Sequence, residues 1–485
     1  MKSWMTALVL IFVVSSASHA FDFFGMFGNE TAKEEETSES TVPDEEKVST
    51  LDEDTPVVQT DVAGGKTLTG TRTFRPPDYS SQDKALGYSA DAFATPKGME
   101  RQLAFWIDIY SKYTTDQGLI HDTENLDIVY AEVDFKDIVN DESLSARQKE
   151  KKKQKLVNDK KKEIVEILHK LDKVDSPEGL SEYEKKIWSF YQGDNESHKF
   201  REAAHKSRIR FQLGQKDRMQ AAIFFSGRYL EDMEKIFREA GLPIELTRLV
   251  FVESSFNVLA RSKVGASGLW QIMRYTARPY RMINDAVDQR NHPMSATRLA
   301  SRLMRDNYNM LKAWPLAMTG YNHGPTGVRK MTEKYKTRDL AELIQNVRSR
   351  RSFGFASRNF YACFLAVLEV ERNATKYFPK VAWSQPLDLE EIKLPVSVKY
   401  KDLLTWFDGN DEKAEVFNPH LSRQARRGSI SIPAKTLIAI PKDRYNQALI
   451  TLARGEFKYA ANMGPEIKAP EEAKGPEIKP AEPVK

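Results

Sequence analysis

Glu253 is the residue around which chemistry can be built. It ends an apolar run within residues 243–257, where Leu246, Leu249 and Val250 precede it by seven, four and three positions. Those spacings put all three on the carboxylate's own side of a helix. An acid held against an apolar face is desolvated, which disfavours its charged form and lifts its pKa towards neutrality. A carboxylic acid still protonated at neutral pH can hand a proton to a leaving group, as glycoside cleavage requires. The other reading is an ordinary glutamate near a helix end, solvated or paired with a base such as Arg248. Gly241 predicts the end of the preceding helix, and Pro243 suits the first position of this one.

Three further groups of residues follow. Residues 262–273 read Ser-Lys-Val-Gly-Ala-Ser-Gly-Leu-Trp-Gln-Ile-Met, then come Asp288, Gln289 and Arg290, then Trp-Pro-Leu-Ala-Met-Thr-Gly-Tyr-Asn-His-Gly at 314–324. Gly265 and Gly268 permit a tight turn and close approach of backbone to a ligand. Trp270 offers a flat apolar surface, for core packing or as a sugar platform. Gln271 carries both a donor and an acceptor. Tyr321 equally suits a core tyrosine with a satisfied hydroxyl.

In this order and spacing, over about residues 210–378, these motifs closely resemble the lytic transglycosylase domain of the soluble-lytic-transglycosylase (SLT) family, nearest to its membrane-bound lytic murein transglycosylase D branch. The resemblance implies a lysozyme-like fold and cleavage of the bond between N-acetylmuramic acid and N-acetylglucosamine in peptidoglycan. It puts Glu253 at the catalytic acid/base and Ser262 at a contact to the substrate N-acetyl group or the carboxylate region. Gln271 and Met273 fall on the lining of the sugar cleft. Tyr321 falls on a tyrosine whose hydroxyl reaches towards the glutamate, and Asn322 on a structural hydrogen-bonder. The family needs no second carboxylate: attack by the C6 hydroxyl of the same muramic residue gives a 1,6-anhydro sugar. Departures are Arg274 and Tyr275 before Thr276 and Ala277, where the family has proline before its threonine-alanine pair, and Gly320 for the usual alanine. Two other functions stay open. One is a hydrolytic muramidase drawing a second carboxylate from Asp285, Asp288 or Asp306, although Asp288 reads better as a structural partner of Arg290. The other is a non-catalytic wall-binding scaffold.

The elements that must position these groups predict a mainly α fold. Residues 1–20 read as a secretory signal peptide, with Lys2, an apolar stretch over 4–14 and a small-residue cleavage site at Ser18, His19 and Ala20. The alternative is an uncleaved membrane anchor. Residues 21–92 read as a disordered acidic linker; within 30–54, eleven acidic residues face two lysines. The whole chain carries +4, so the rest is basic. That suits an anionic polymer such as peptidoglycan; no nucleic-acid motif accompanies the charge. Residues 93–211 form a mostly helical accessory region, with an amphipathic helix at 105–113, strand composition at 126–135 and a lysine-dense helix from 146. That lysine face is either solvated or a contact for murein or lipid headgroups. The lysozyme-like domain spans 212–378, with one helix expected over 212–240. A small α+β unit at 390–445 resembles a LysM module or acts as a cap, and an eleven-residue repeat makes 460–485 a disordered tail. The single cysteine, Cys363, sits in an apolar run, and the eight histidines show no ligand spacing. No metal or cofactor is expected.

Overall fold

The computed structural model describes residues 93–194, 196–347 and 353–453, together with the two-residue strands Val62–Ala63, Lys66–Thr67 and Thr71–Arg72. The expected signal peptide, nearly all of the acidic linker and the repeat tail lie outside the described residues. The molecule is mainly α with small antiparallel sheets, as the sequence predicts. No helix among the described residues is long and apolar enough to cross a membrane.

Residues 93–211 are more mixed than expected. Helix α1 (Glu100–Ser111) leads into strands β1 (Gln117–Asp122) and β2 (Val129–Asp134). A third strand, β3 (Ile209–Leu213), joins them in the antiparallel order β2-β1-β3. Between β2 and β3 runs α2 (Ala146–Leu171), started by a capping box of Ser145 and Gln148. Its Val157, Ile164, Leu168 and Leu171 are seven, four and three residues apart, and this stripe is buried beneath the sheet with Ile120, Tyr130 and Phe211.

The expected single helix at 212–240 is broken. It comprises the end of β3, then α3 (Lys216–Ser226) and α4 (Leu230–Glu239). Gly227 parts the two helices: a Cβ there would lie 2.2 Å from the carbonyl oxygen of Ser384, so only glycine lets the 383–384 strand pass. Helix α5 (Leu249–Ser254), α6 (Pro293–Leu311), α7 (Trp314–His323) and α8 (Phe355–Arg372) complete the central body. Helix α1 packs along α8, so Trp106, Ile109 and Tyr110 share one core with α4, α5, α7 and α8.

The C-terminal unit pairs β4 (Leu389–Lys393) with β5 (Leu437–Pro441), antiparallel. Short helices between them, including Tyr400–Leu403 and Asp411–Phe417, bury Trp406, Phe407 and Phe417 against Ile438 and Ile440.

Candidate active site

Glu253 lies in the last turn of α5, a six-residue helix preceded directly by the 3-10 turn Ile244–Arg248. Pro243 stands just before that turn, one position earlier than the sequence suggests. Every residue of α5 is buried, so burial surrounds the whole helix and is not confined to one stripe. Glu253 is 8% exposed. Burial pushes its carboxyl up to about 8, and burial is the cause of the shift. Among the described residues no hydrogen-bond donor or cation meets the carboxylate. Arg248 turns away from it: its guanidinium is fully buried between Glu234 of α4 and Glu371 of α8, 3.2 Å from the latter.

The chain reverses immediately after α5. Ser255 and Phe256 both take left-handed backbone, φ 49° and 59°, uncommon for residues with a Cβ and a store of local strain. The Ser254 hydroxyl donates to the Leu269 carbonyl at 2.8 Å, tying the helix end to the loop that follows.

That loop, 262–273, is a small hairpin. The Ser262 N–H donates to the Ala266 carbonyl at 3.0 Å, and the Ala266 N–H donates to the Ser262 hydroxyl at 2.8 Å. Ser267 and Ile272 then pair. Gly268, at φ +76°, lies so close to the backbone of Arg290 that a Cβ would stand 2.0 Å from its carbonyl oxygen. Gln271 is again left-handed, φ 44°. Its Nε2 donates to the Ala260 and Gly268 carbonyls at 3.0 and 2.8 Å, while its Oε1 is buried without a partner. Met273 is half-buried and precedes the short helix Arg274–Ala277. Trp270 belongs to the core: fully buried, stacked on Phe237 at 5.6 Å and 11°, with its indole N–H donating to Thr297. Leu259, Val264 and Tyr275, on and beside this loop, are exposed.

Arg290 staples the hairpin from behind. It forms an ion pair with Asp288 at 2.7 Å and donates to the Gly265 and Ile272 carbonyls at 2.7 and 2.9 Å. Asp288 is thereby committed to a structural pair, and Asp285 and Asp306 are exposed.

Helix α7 brings Tyr321 and Asn322. The Tyr321 hydroxyl donates to the Trp270 carbonyl at 2.9 Å, not to the carboxylate. It is still near Glu253: burial, then the Glu253 charge, hold the phenol well above its usual range. Asn322 accepts from the Ser357 hydroxyl at 2.8 Å, and His323 contacts the same hydroxyl at 3.3 Å. Tyr321 is thus brought near Glu253 and bonded to Trp270, the residue before Gln271; Ser262, Gln271 and Asn322 serve hydrogen bonds within the protein. Two neighbours carry no sequence signal beyond helical spacing. Burial, the Cys363 thiol of α8 and the Glu253 charge all raise the phenol of Tyr110 of α1, which puts Tyr110 near the carboxyl and Cys363 against Tyr110. No local pattern could report them, because their helices lie far from Glu253 in sequence.

Comparison with known proteins agrees with this geometry. The family model of the transglycosylase SLT domain matches residues 234–344, which contain Glu253, the hairpin and α7. Membrane-bound lytic murein transglycosylase D of Escherichia coli (strain K12) is 24% identical over 226 residues, 45% of this chain and 48% of the relative. The protein of the same name from Escherichia coli O6:H1 gives the same figures. The chain therefore spans about half the length of these relatives. Residues 234–344 are thus similar to the transglycosylase SLT domain, the region that holds Glu253, the hairpin and α7.

Proposed function

We propose that this chain is a peptidoglycan lytic transglycosylase with Glu253 as its single acid/base. One observation carries the reading: an isolated, buried carboxyl held up to about 8 beside a strained hairpin. Protonated at neutral pH, Glu253 donates to the glycosidic oxygen as the C1–O bond breaks. The resulting carboxylate then takes the proton of the muramic C6 hydroxyl, whose oxygen closes on C1. The attacking group is already attached to the substrate, so effective molarity stands in for an activated water. The commitment of Asp288 to Arg290 and the exposure of Asp285 and Asp306 speak against the hydrolytic alternative. Gln271, with its unpartnered Oε1, would receive a donor from the sugar; Met273 would line the cleft, and Tyr321 would hold the Trp270 backbone beside the carboxyl. Ser262 and Asn322 would act by shaping the hairpin and the end of α7.

The same reading places the protein outside the cytoplasm, in the periplasm or otherwise in the envelope, with residues 1–20 as its export signal. The pairing of β4 with β5 around short intervening helices supports a LysM-like reading of the C-terminal unit, although the helices there are more numerous than the two of a LysM module. The lysine-rich face of α2 is a candidate contact for anionic envelope polymers or headgroups.

The test is mass spectrometry of fragments released from purified peptidoglycan by the full chain and by Glu253→Gln. Muropeptides about 18 Da lighter than hydrolysed forms, absent with the variant, are the expected result. Reducing-end products would make it a muramidase, and full activity in the variant would refute Glu253 as the acid.

A further inference from the structure

Segment 284–292 is held from two sides at once. On one side, Ala286 and Val287 are buried in the core of the C-terminal unit with Leu403, Phe417 and Leu421. Val287 forms an antiparallel bridge to Leu421. The Ser422 N–H donates to the Ala286 carbonyl at 2.9 Å, and the Asp288 N–H donates to the His420 carbonyl at 2.8 Å. Two further contacts flank this seam. The rings of His292 and His420 meet edge to face at 4.6 Å, and Arg298 of α6 pairs with Glu391 of β4 at 2.9 Å.

On the other side, the same segment holds the hairpin. Arg290 donates to the Gly265 and Ile272 carbonyls, Asn291 accepts from the Ser267 hydroxyl at 2.7 Å, and the Arg290 carbonyl abuts Gly268. The C-terminal unit is therefore one short, hydrogen-bonded step from the wall that carries Gln271. A module tethered only for wall binding needs no such seam.

We propose that the C-terminal unit is a positioning element for the substrate wall: by fixing 286–288 it sets Arg290, and through Arg290 the 262–273 hairpin. This rests on the reading of that hairpin as the sugar-binding wall. Residues His420, Leu421 and Val287 are positioning residues; none touches the reacting atoms. A misplacement of ~1 Å at a site of this kind costs on the order of 100-fold in rate, so a loosened seam is read in kcat/KM.

The experiment uses the full chain and two variants. Leu421→Asp puts a charge into the seam, with Leu421→Ile as the conservative control. Arg298→Glu sets like charges together at the flank of the seam, at a half-exposed residue outside both cores, and Glu391→Arg restores the pair. Hydrogen exchange is followed at the amides of 286–292, 262–272 and, as a folding control, α8. Turnover is followed on soluble uncrosslinked glycan strands. Leu421→Asp is expected to speed exchange in both 286–292 and 262–272 while α8 stays protected, and to raise KM by about tenfold or more, with kcat falling less. Leu421→Ile keeps the parent values. Arg298→Glu shifts KM the same way by about threefold, and the double variant reverses it. Faster exchange in 286–292 with unchanged 262–272 amides and unchanged KM overturns the proposal. Exchange is read without substrate, so a chain that releases no glycan refutes the functional reading, while the amides still decide whether the seam governs the hairpin.

Discussion

Burial that makes Glu253 a proton donor also makes it a cost to the fold. The unfolded carboxyl ionises near 4.5, whereas the folded one holds its proton up to about 8. Between those values the unfolded state gains charge that the folded state does not, so stability falls as pH rises through the window. Glu253→Gln keeps the shape and removes the titration. The variant is expected to match the parent at pH 4 and to be more stable at pH 7 by a few kcal/mol, at ~1.4 kcal/mol per pH unit across the window. Denaturant unfolding at several pH values checks this; a difference independent of pH would mean that the carboxyl is not desolvated. The spacing of Leu246, Leu249 and Val250 makes the desolvation legible in the sequence, and all three are buried. Arg248 is not legible in that way. Its position five residues before Glu253 suggests a partner, but Glu234 and Glu371 claim it from two other helices. Tyr110 and Cys363 are hidden for the same reason: which helices converge is decided by packing across the whole core.

At the scale of elements, the hairpin and its staple were readable because glycine positions and the Asp288–Arg290 pair have local causes. Gly268 is the sharpest case, with left-handed backbone and a carbonyl where a Cβ would go. Gly268→Ala is expected to destabilise by more than ~1 kcal/mol and to lower turnover by displacing Gln271. A shift in denaturant midpoint alongside KM checks both, and a neutral alanine would show that the hairpin has room to move. The break between α3 and α4 was not readable. Phe224 and Phe225 before Gly227, with Leu230 after it, are compatible with a continuous helix. What ends it is the arrival of the 383–384 strand, more than 150 residues later in the chain. The sheet of residues 93–211 was half-readable: β2 announces itself by composition, while β1 contains Gly118 and His121, which weaken any strand signature.

Across the whole molecule, the seam between the central body and the C-terminal unit is a pH-dependent contact. Burial, then Arg298, pushes the His292 imidazole down to about 3. Burial, then His292, holds His420 well below its usual value, against opposing pulls from its hydrogen bond to the Leu437 carbonyl and from Asp288. Glu391 stands 3.7 Å from His292, too far for a hydrogen bond to secure a proton there. Undocked histidines take up protons near 6.5, and docked ones do not, so docking weakens as pH falls below that value. Melts from pH 7 to pH 5 are expected to show the C-terminal unit loosening ahead of the central body, and His420→Asn is expected to flatten the trend. Loss of both parts in step would refute it. The seam has no sequence signature, because each side reads as an ordinary loop. Helix α1 has a different consequence. Its Trp106 indole N–H donates to Asn359, 253 residues further on. During synthesis at ~5–20 residues per second, the apolar face of α1 waits on the order of tens of seconds for α8 to exist. The nascent chain thus carries the apolar face of Trp106, Ile109 and Tyr110 without its partner helix for about half of its synthesis, and completion of the central core is gated by the arrival of α8.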